Sequence, residues 1–256
     1  MPMDKDALIR RIRCFTSLST EEEQVLRQLA GERQRNIGPR EDIIREGDPP
    51  HLVYLVLNGW ACRYKTLEDG RRQILAFLLP GDLCDINNNV LQEMDHSIGA
   101  ITPVTVAQIG HERIADAVAA FPRLSRALWW HTLTSIAIQR EWTVNIGQRS
   151  AFERIGHLLC ELFARLEAVG LTRGTQCDFP LIQTEIAGAT GLTPVHVNRT
   201  LQELRGEGLI VLGNRVLDIP DMPRLQAASL FVADYLHLNC EIRGGDDDAA
   251  SFRSVA

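Results

Sequence analysis

The sequence predicts an α+β protein with an N-terminal β-roll of the jelly-roll type, a long helix suited to dimerisation and a C-terminal winged helix-turn-helix. Three observations predict it: closely spaced turn pairs in residues 36–109, a stretch after Pro122 with no glycine or proline until Gly147, and a helix-turn-helix pattern followed by a short hairpin. A chain of 256 residues that is 45% hydrophobic can bury a core in each of two domains.

Residues 8–33 are predicted to be helical and to pack on the β domain. Ser19 and Thr20 precede three glutamates, and acids in the first turn of a helix are stabilised by its dipole. We therefore expect a helix to begin at this point.

Turn pairs divide residues 36–109 into short apolar runs at intervals of roughly 9 to 12 residues. The pairs are Gly38-Pro39, Gly47-Asp48, Asn58-Gly59, Asp69-Gly70 and Pro80-Gly81-Asp82. This rhythm is typical of an antiparallel barrel or sandwich, and a jelly roll is the simplest fold that fits. Hairpins are expected around Asn58-Gly59 and around Asp69-Gly70.

The stretch from Pro122 to about residue 146 predicts one helix with more apolar side chains than a free helix can expose to water. We expect its partner to be the same helix of a second subunit, although packing across its own β domain is the alternative. The residues predicted at the dimer contact are Leu124, Leu128, Ser135, Ile138 and Trp142.

A hinge is expected at residues 145–150, because Gly147 interrupts the long helix there. Ser150 is suited to cap the next helix, predicted over residues 151–168. Rotation at this hinge would reposition the C-terminal domain.

The helix-turn-helix pattern occupies residues 183–209. Gly191 suits the positive φ that ends a first helix, and Thr193-Pro194 suits the N-cap and first residue of a second. Within residues 194–205, one face carries Val197, Leu201 and Leu204 at helical spacing and is predicted to be buried. The residues predicted to contact a partner are Thr193, Val195, His196, Asn198, Arg199 and Gln202. Two core helices with a solvated face are the alternative.

Gly206 and Gly208 end the second helix, and residues 209–219 predict a hairpin about Gly213-Asn214, which completes a winged helix. Four segments are therefore predicted. Residues 1–120 hold the N-terminal helices and β-roll, 121–148 the long helix and hinge, 149–228 the winged helix-turn-helix, and 229–256 an extension ending in an acidic, disordered tail.

Composition excludes several classes of function. No signal peptide or membrane span is evident, so a cytoplasmic protein is expected. The net charge of −6 gives no general support to a polyanion partner. The six cysteines (Cys14, Cys62, Cys84, Cys160, Cys177 and Cys240) form no closely spaced pair, which predicts buried thiols and no metal site. No catalytic motif stands out, so an enzyme is not expected.

The whole pattern resembles the Crp/Fnr family of bacterial transcription regulators over residues 17–220. The most specific matches are Gly81-Asp82-Leu83, then Arg149-Ser150-Ala151 with Glu153-Arg154-Ile155, and the helix-turn-helix. The resemblance implies a homodimer that binds an inverted repeat in double-stranded DNA and acts with RNA polymerase. Arg199 would then contact guanine in the major groove.

The resemblance also identifies departures from the cyclic-AMP-binding members, in which Gly-Glu-Leu and a following Arg-Ser form the pocket. Here Cys84-Asp85-Ile86 and His96-Ser97 stand at those places, so we expect no tight binding of cyclic AMP. Asp85, His96 and Ser97 are candidates for a vestigial or retuned pocket, or have structural roles.

The closely spaced cysteines of the iron–sulfur oxygen sensors are also absent from the sequence. The chain therefore resembles the cofactor-less members of the family. Ile182 stands where family members usually have a Thr or Ser that caps the first helix of the helix-turn-helix. A ligand-binding β-roll that regulates a protein partner without DNA remains the alternative, and the acidic charge balance is its best support.

Overall fold

The computed structural model describes residues 6–86 and 90–238. Two helices, α1 (Ala7–Arg13) and α2 (Thr20–Ala30), open the chain. The Ser19 hydroxyl accepts a hydrogen bond from Glu22 N, and the Glu22 carboxylate accepts one from Ser19 N, so the predicted start of α2 is confirmed.

Eight antiparallel strands form a two-sheet β-roll, which confirms the predicted fold of this region. The strands are β1 (Gln34–Ile37), β2 (Asp42–Ile44), β3 (Leu52–Asn58), β4 (Ala61–Thr66), β5 (Arg72–Leu78), β6 (Leu83–Cys84), β7 (Ser97–Ala100) and β8 (Val104–Gly110). One sheet has the order β1-β8-β3-β6 and the other β2-β7-β4-β5.

The hairpin predicted around Asp69-Gly70 is confirmed, because β4 pairs with β5. The hairpin predicted around Asn58-Gly59 is wrong: β3 pairs with β8 and β6, whereas β4 pairs with β5 and β7 in the other sheet. At this corner Gly59 has φ +81°, and a Cβ on it would collide with the carbonyl oxygen of Pro103. The turn therefore carries the chain from one sheet to the other.

The helices that follow are α3 (His111–Ala120), α4 (Pro122–Gln148), α5 (Ala151–Ala168), α6 (Gln183–Thr190), α7 (Pro194–Gly206) and α8 (Met222–Ala228). A third sheet, in the order β11-β12-β10-β9, belongs to the C-terminal domain. Its strands are β9 (Thr172–Arg173), β10 (Gln176–Asp178), β11 (Val211–Gly213) and β12 (Val216–Asp218). The predicted long helix, the helix over residues 151–168 and the wing are thus confirmed.

Most of the residues predicted for the dimer contact on α4 are instead covered by the protein's own domains. Leu124 packs in the core with α1 and α2, whereas Ile138 and Trp142 pack in the core that contains α5. Leu128 is half-buried against the first of these cores, and the Ser135 hydroxyl donates to the carbonyl of His131. The predicted alternative, packing across its own domain, accounts for these side chains.

A different face of α4 is left uncovered within the chain. Its exposed large side chains are Trp129, Leu133, Ile136, Val144 and Ile146. Trp129, Leu133 and Ile136 recur at i, i+4 and i+7 and form one exposed apolar stripe, and such a stripe on a water-facing helix marks an interaction site.

Buried ion pairs connect the β-roll with the C-terminal domain. Arg165 on α5 donates to Asp82 at 2.8 Å and to the carbonyl of Phe77 at 2.9 Å. Asp82 also pairs with Arg11 of α1 at 3.1 Å. Burial alone would raise the pKa of Asp82, but the two guanidinium groups outweigh burial and hold it at about 2. α6 also lies against β5, so the two domains pack on each other.

The first part of the predicted C-terminal extension is packed rather than free. Phe231 and Leu236 are buried, and the Tyr235 hydroxyl donates to Glu161 at 2.9 Å. The acidic tail and Cys240 lie outside the described residues. Across residues 6–86 and 90–238, no helix is both long and apolar enough to cross a membrane.

Candidate nucleic-acid interface

The helix-turn-helix forms where the sequence places it. Gly191 has φ +67° and ends α6, and the Thr193 hydroxyl accepts a hydrogen bond from His196 N at 3.2 Å, with Pro194 in the first position of α7. Ile182 has no side-chain acceptor, but the Glu185 carboxylate accepts from Ile182 N at 2.8 Å. The cap of α6 is therefore made by a glutamate three residues inside the helix.

The two faces of α7 separate as predicted. Val197, Leu201 and Leu204 are almost completely buried against the rest of the domain. Thr200, which the sequence pattern did not single out, is buried beside them.

The predicted contact residues lie on the other face of α7. Five of them are exposed, namely Thr193, Val195, Asn198, Arg199 and Gln202, and His196 is half-buried. Val195 is 81% exposed, although it is apolar. The face of α7 that carries them is therefore open to a partner.

Arg199 lies in the middle of this face and is exposed to solvent. Two other arginines of the domain are engaged: Arg205 donates to the carbonyl of Leu212 and Arg224 to that of Glu207. In the described part of the chain, no hydrogen bond or ion pair holds the Arg199 guanidinium. Its five donors are available for a planar acceptor such as a guanine edge.

The wing is a tight hairpin between β11 and β12. Asn214 and Arg215 both have positive φ, which identifies a type I′ turn one residue later than the sequence predicts. Its tip borders a cleft shared with Asn58, Trp60 and Pro103 of the β-roll. The wing thus lies beside the β-roll in this arrangement.

The β-roll contains a cavity of about 680 Å³ bounded by α4. Two of the three predicted pocket residues, Asp85 and His96, line it. Ser97 does not: its hydroxyl accepts from Glu46 N at 2.9 Å and fixes the end of β2. Arg63 of β4 also lines the cavity, and the sequence comparison missed it because it comes from a strand outside the aligned motif.

The charges in this cavity are already paired. Arg63 Nη2 lies 3.0 Å from Asp85 Oδ1, and His96 Nε2 lies 3.1 Å from the other oxygen of the same carboxylate. Burial would raise the pKa of Asp85, but Arg63 and His96 outweigh it and hold it at about 2. Burial would lower the pKa of His96, yet its bonds to Asp85 and Asp95 raise it.

Known protein families match the two domains described above. Residues 34–121 match the family described as cyclic nucleotide-binding domain, and residues 153–228 match the Crp-like helix-turn-helix domain. Over 222 residues the chain is 30% identical to the nitrogen fixation regulation protein FixK of Bradyrhizobium diazoefficiens, an alignment that covers 87% of this chain and 92% of that protein. The chain belongs to the Crp/Fnr family of transcription regulators.

Two further relatives agree with this membership. The regulator is 32% identical over 197 residues to the transcriptional activatory protein AadR of Rhodopseudomonas palustris, covering 75% of this chain and 80% of that one. The structure of FixK2 from Bradyrhizobium japonicum is 27% identical, with a TM-score of 0.69, and covers 77% of this chain and 96% of that chain.

This Crp/Fnr regulator is therefore a DNA-binding protein. The alternative of a β-roll that acts on a protein partner without DNA is not supported, because the C-terminal half matches the DNA-binding domain of the family. The family consists of transcription regulators rather than enzymes.

Proposed function

We propose that the protein acts in the cytoplasm as a homodimer that binds an inverted repeat through the exposed face of α7. The observation that carries this proposal is the exposed, unbonded Arg199 in the middle of that face. Two such helices related by a two-fold axis fit successive major grooves about 34 Å apart.

Each predicted residue has a chemical role at such a site. Arg199 donates to O6 and N7 of a guanine, and Val195 contacts a thymine methyl group. His196, Asn198 and Gln202 contact bases or phosphates, and the Thr193 end of α7 lies near the backbone.

Dimerisation uses the exposed face of α4 rather than the residues that the sequence pattern indicated. Trp129, Leu133 and Ile136 recur at helical spacing on that face. Val144, eight residues after Ile136, lies farther along the same side of α4 and is also exposed. The same face of a second copy is the partner that would cover it.

The cavity of the β-roll does not suit a cyclic phosphate, because Arg63 is already neutralised by Asp85. A phosphate would have to displace the half-buried Asp85 carboxylate to reach the guanidinium. Contact with RNA polymerase at a promoter is a further part of this proposal. Two relatives, FnrL of Cereibacter sphaeroides and AadR, are transcriptional activators, which supports a role in controlling transcription.

The test is a gel-shift series with operators selected from genomic fragments, at several salt concentrations. Specific binding should weaken steeply with salt. Arg199→Ala should cost about 1 to 3 kcal/mol on the selected operator and relax the preference for one base pair. Arg173→Ala is the matched control, because Arg173 is also exposed in this domain but is paired with Asp178. Full operator affinity in Arg199→Ala would refute the assignment.

A further inference from the structure

Arg154, near the start of α5, connects three separate segments of the chain. Its Nη1 donates to the carbonyl of Thr190 at 2.8 Å, and its Nη2 donates to the carbonyls of Ile146 at 2.8 Å and Arg149 at 2.9 Å. Ile146 lies at the end of α4, Arg149 in the connection to α5, and Thr190 at the end of α6. One guanidinium thus joins the long helix to the helix-turn-helix.

Two of these carbonyls cannot be satisfied by their own helices. The amide that would normally bond Ile146 belongs to Ser150, and Ser150 N donates to Glu153 instead. The residue four positions after Thr190 is Pro194, which has no N–H. The last carbonyls of α4 and α6 therefore depend on an outside donor, and a cation at a helix C-terminus is favoured by the dipole.

The long helix holds Arg154 from the other direction as well. Asn145 of α4 is buried, and its Nδ2 donates to the carbonyl of Arg154 at 3.2 Å. Only residues 191–193 separate α6 from α7. This junction therefore contributes directly to the direction of α7 relative to α4.

We infer that Arg154 is a positioning residue that sets which half-site spacing the dimer accepts. The inference rests on the proposed function, since spacing has meaning only for two α7 helices joined through α4. Adding one base pair turns a half-site by about 34° and moves it by about 3.4 Å. A dimer with a fixed junction cannot follow that change, whereas a dimer with a loosened junction can.

The experiment measures affinity for the selected operator and for versions with one base pair added to or removed from its centre. The wild type should prefer the natural spacing by about tenfold or more, the size of a mismatch effect. In Arg154→Gln this preference should fall to within about threefold, because no side chain then joins the three carbonyls.

Two further variants test the same junction. Arg154→Lys keeps the positive charge, but a single ammonium group cannot reach all three carbonyls as the planar guanidinium does. This variant should therefore lose the spacing preference to a similar extent. Asn145→Ala removes the hydrogen bond from Asn145 Nδ2 to the carbonyl of Arg154. If thermal melts show that both Arg154 variants are unfolded, the spacing preference of Asn145→Ala tests the inference instead. Arg173→Ala, which removes one exposed charge from the same domain, should keep the wild-type spacing preference.

The outcomes separate the two claims. A wild type that shows no salt-dependent binding to any repeat overturns the proposed function. A wild type that binds but tolerates every spacing, or folded junction variants that retain the full spacing preference, overturn the role of Arg154 alone.

Discussion

Replacing Arg165 by methionine tests the buried connection between the β-roll and the DNA-binding domain. Methionine keeps most of the side-chain length and removes the charge. The change deletes the bonds to Asp82, to the carbonyl of Phe77, and to Glu161 at 3.3 Å. All of these partners are buried, so water does not replace the lost donor easily.

The expected loss in free energy of unfolding depends on the partners that Asp82 and Glu161 keep in the variant. Breaking a buried ion pair by removing one partner costs about 3 to 5 kcal/mol. Asp82 keeps Arg11, and Glu161 keeps the donors Trp142 Nε1 and Tyr235 Oη, both at 2.9 Å. Burial already raises the pKa of Glu161, so this group can take up a proton when its cation is lost. We therefore expect the lower end of the range, about 3 kcal/mol.

Urea unfolding of the full chain at pH 7, followed by tryptophan fluorescence, measures this loss. Arg173→Met breaks an exposed pair with Asp178 and should cost no more than about 1 kcal/mol. Adding Asp82→Asn to Arg165→Met should cost less than the sum of the single changes, because the two side chains interact directly. A loss below 1 kcal/mol for Arg165→Met, or strict additivity, would refute the argument.

The remaining predictions concern pH and dimerisation. Burial lowers the pKa values of His131 and His157 to about 4, so the folded protein excludes protons that the unfolded chain binds below about pH 6.5. Urea unfolding should therefore show the free energy of unfolding falling from pH 6.5 toward pH 4, by up to roughly 3 kcal/mol per histidine. A free energy of unfolding that does not change over this range would contradict a neutral, buried state of His131 and His157. Leu133→Glu should weaken self-association in sedimentation at least about tenfold. Leu67→Glu, at an equally exposed leucine of the β4–β5 turn, should leave it unchanged.

Local signals predicted the elements whose ends are fixed by neighbouring residues. Ser19 and Ser150 each form a capping box with a glutamate three residues on, and Gly191 takes the left-handed conformation that its position requires. These features depend on interactions within a few residues, which a sequence displays directly. The exposed face of α7 was predictable for the same reason, since 3.6-residue periodicity sorts its side chains.

Features decided by distant contacts were not predictable in this way. The strands on either side of Asn58-Gly59 read as a hairpin, but they do not pair with each other: β3 pairs with β6 and β8, whereas β4 pairs with β5 and β7 in the other sheet. α4 carries apolar residues on most of its surface, so periodicity could not distinguish the face covered by the protein's own domains from the free one. Arg63 reaches the cavity through the β-roll topology, which no short motif encodes.

The hydrogen bonds across the hinge predicted at residues 145–150 set the free energy needed to rotate there. Arg154 and Thr190 belong to the same domain and move together, so rotation there would break only the bonds that cross the hinge: Arg154 Nη2 to the carbonyl of Ile146, and Asn145 Nδ2 to the carbonyl of Arg154. The first is worth about 1.5 kcal/mol because its donor is charged, and the neutral second about 1 kcal/mol. A total near 2.5 kcal/mol leaves a rotated state populated at roughly one molecule in seventy. A signal that repositions α7 by this route must therefore bind the rotated state about a hundredfold more tightly, or supply new partners for the same groups. The junction acts as a fixed connection unless such a signal is present.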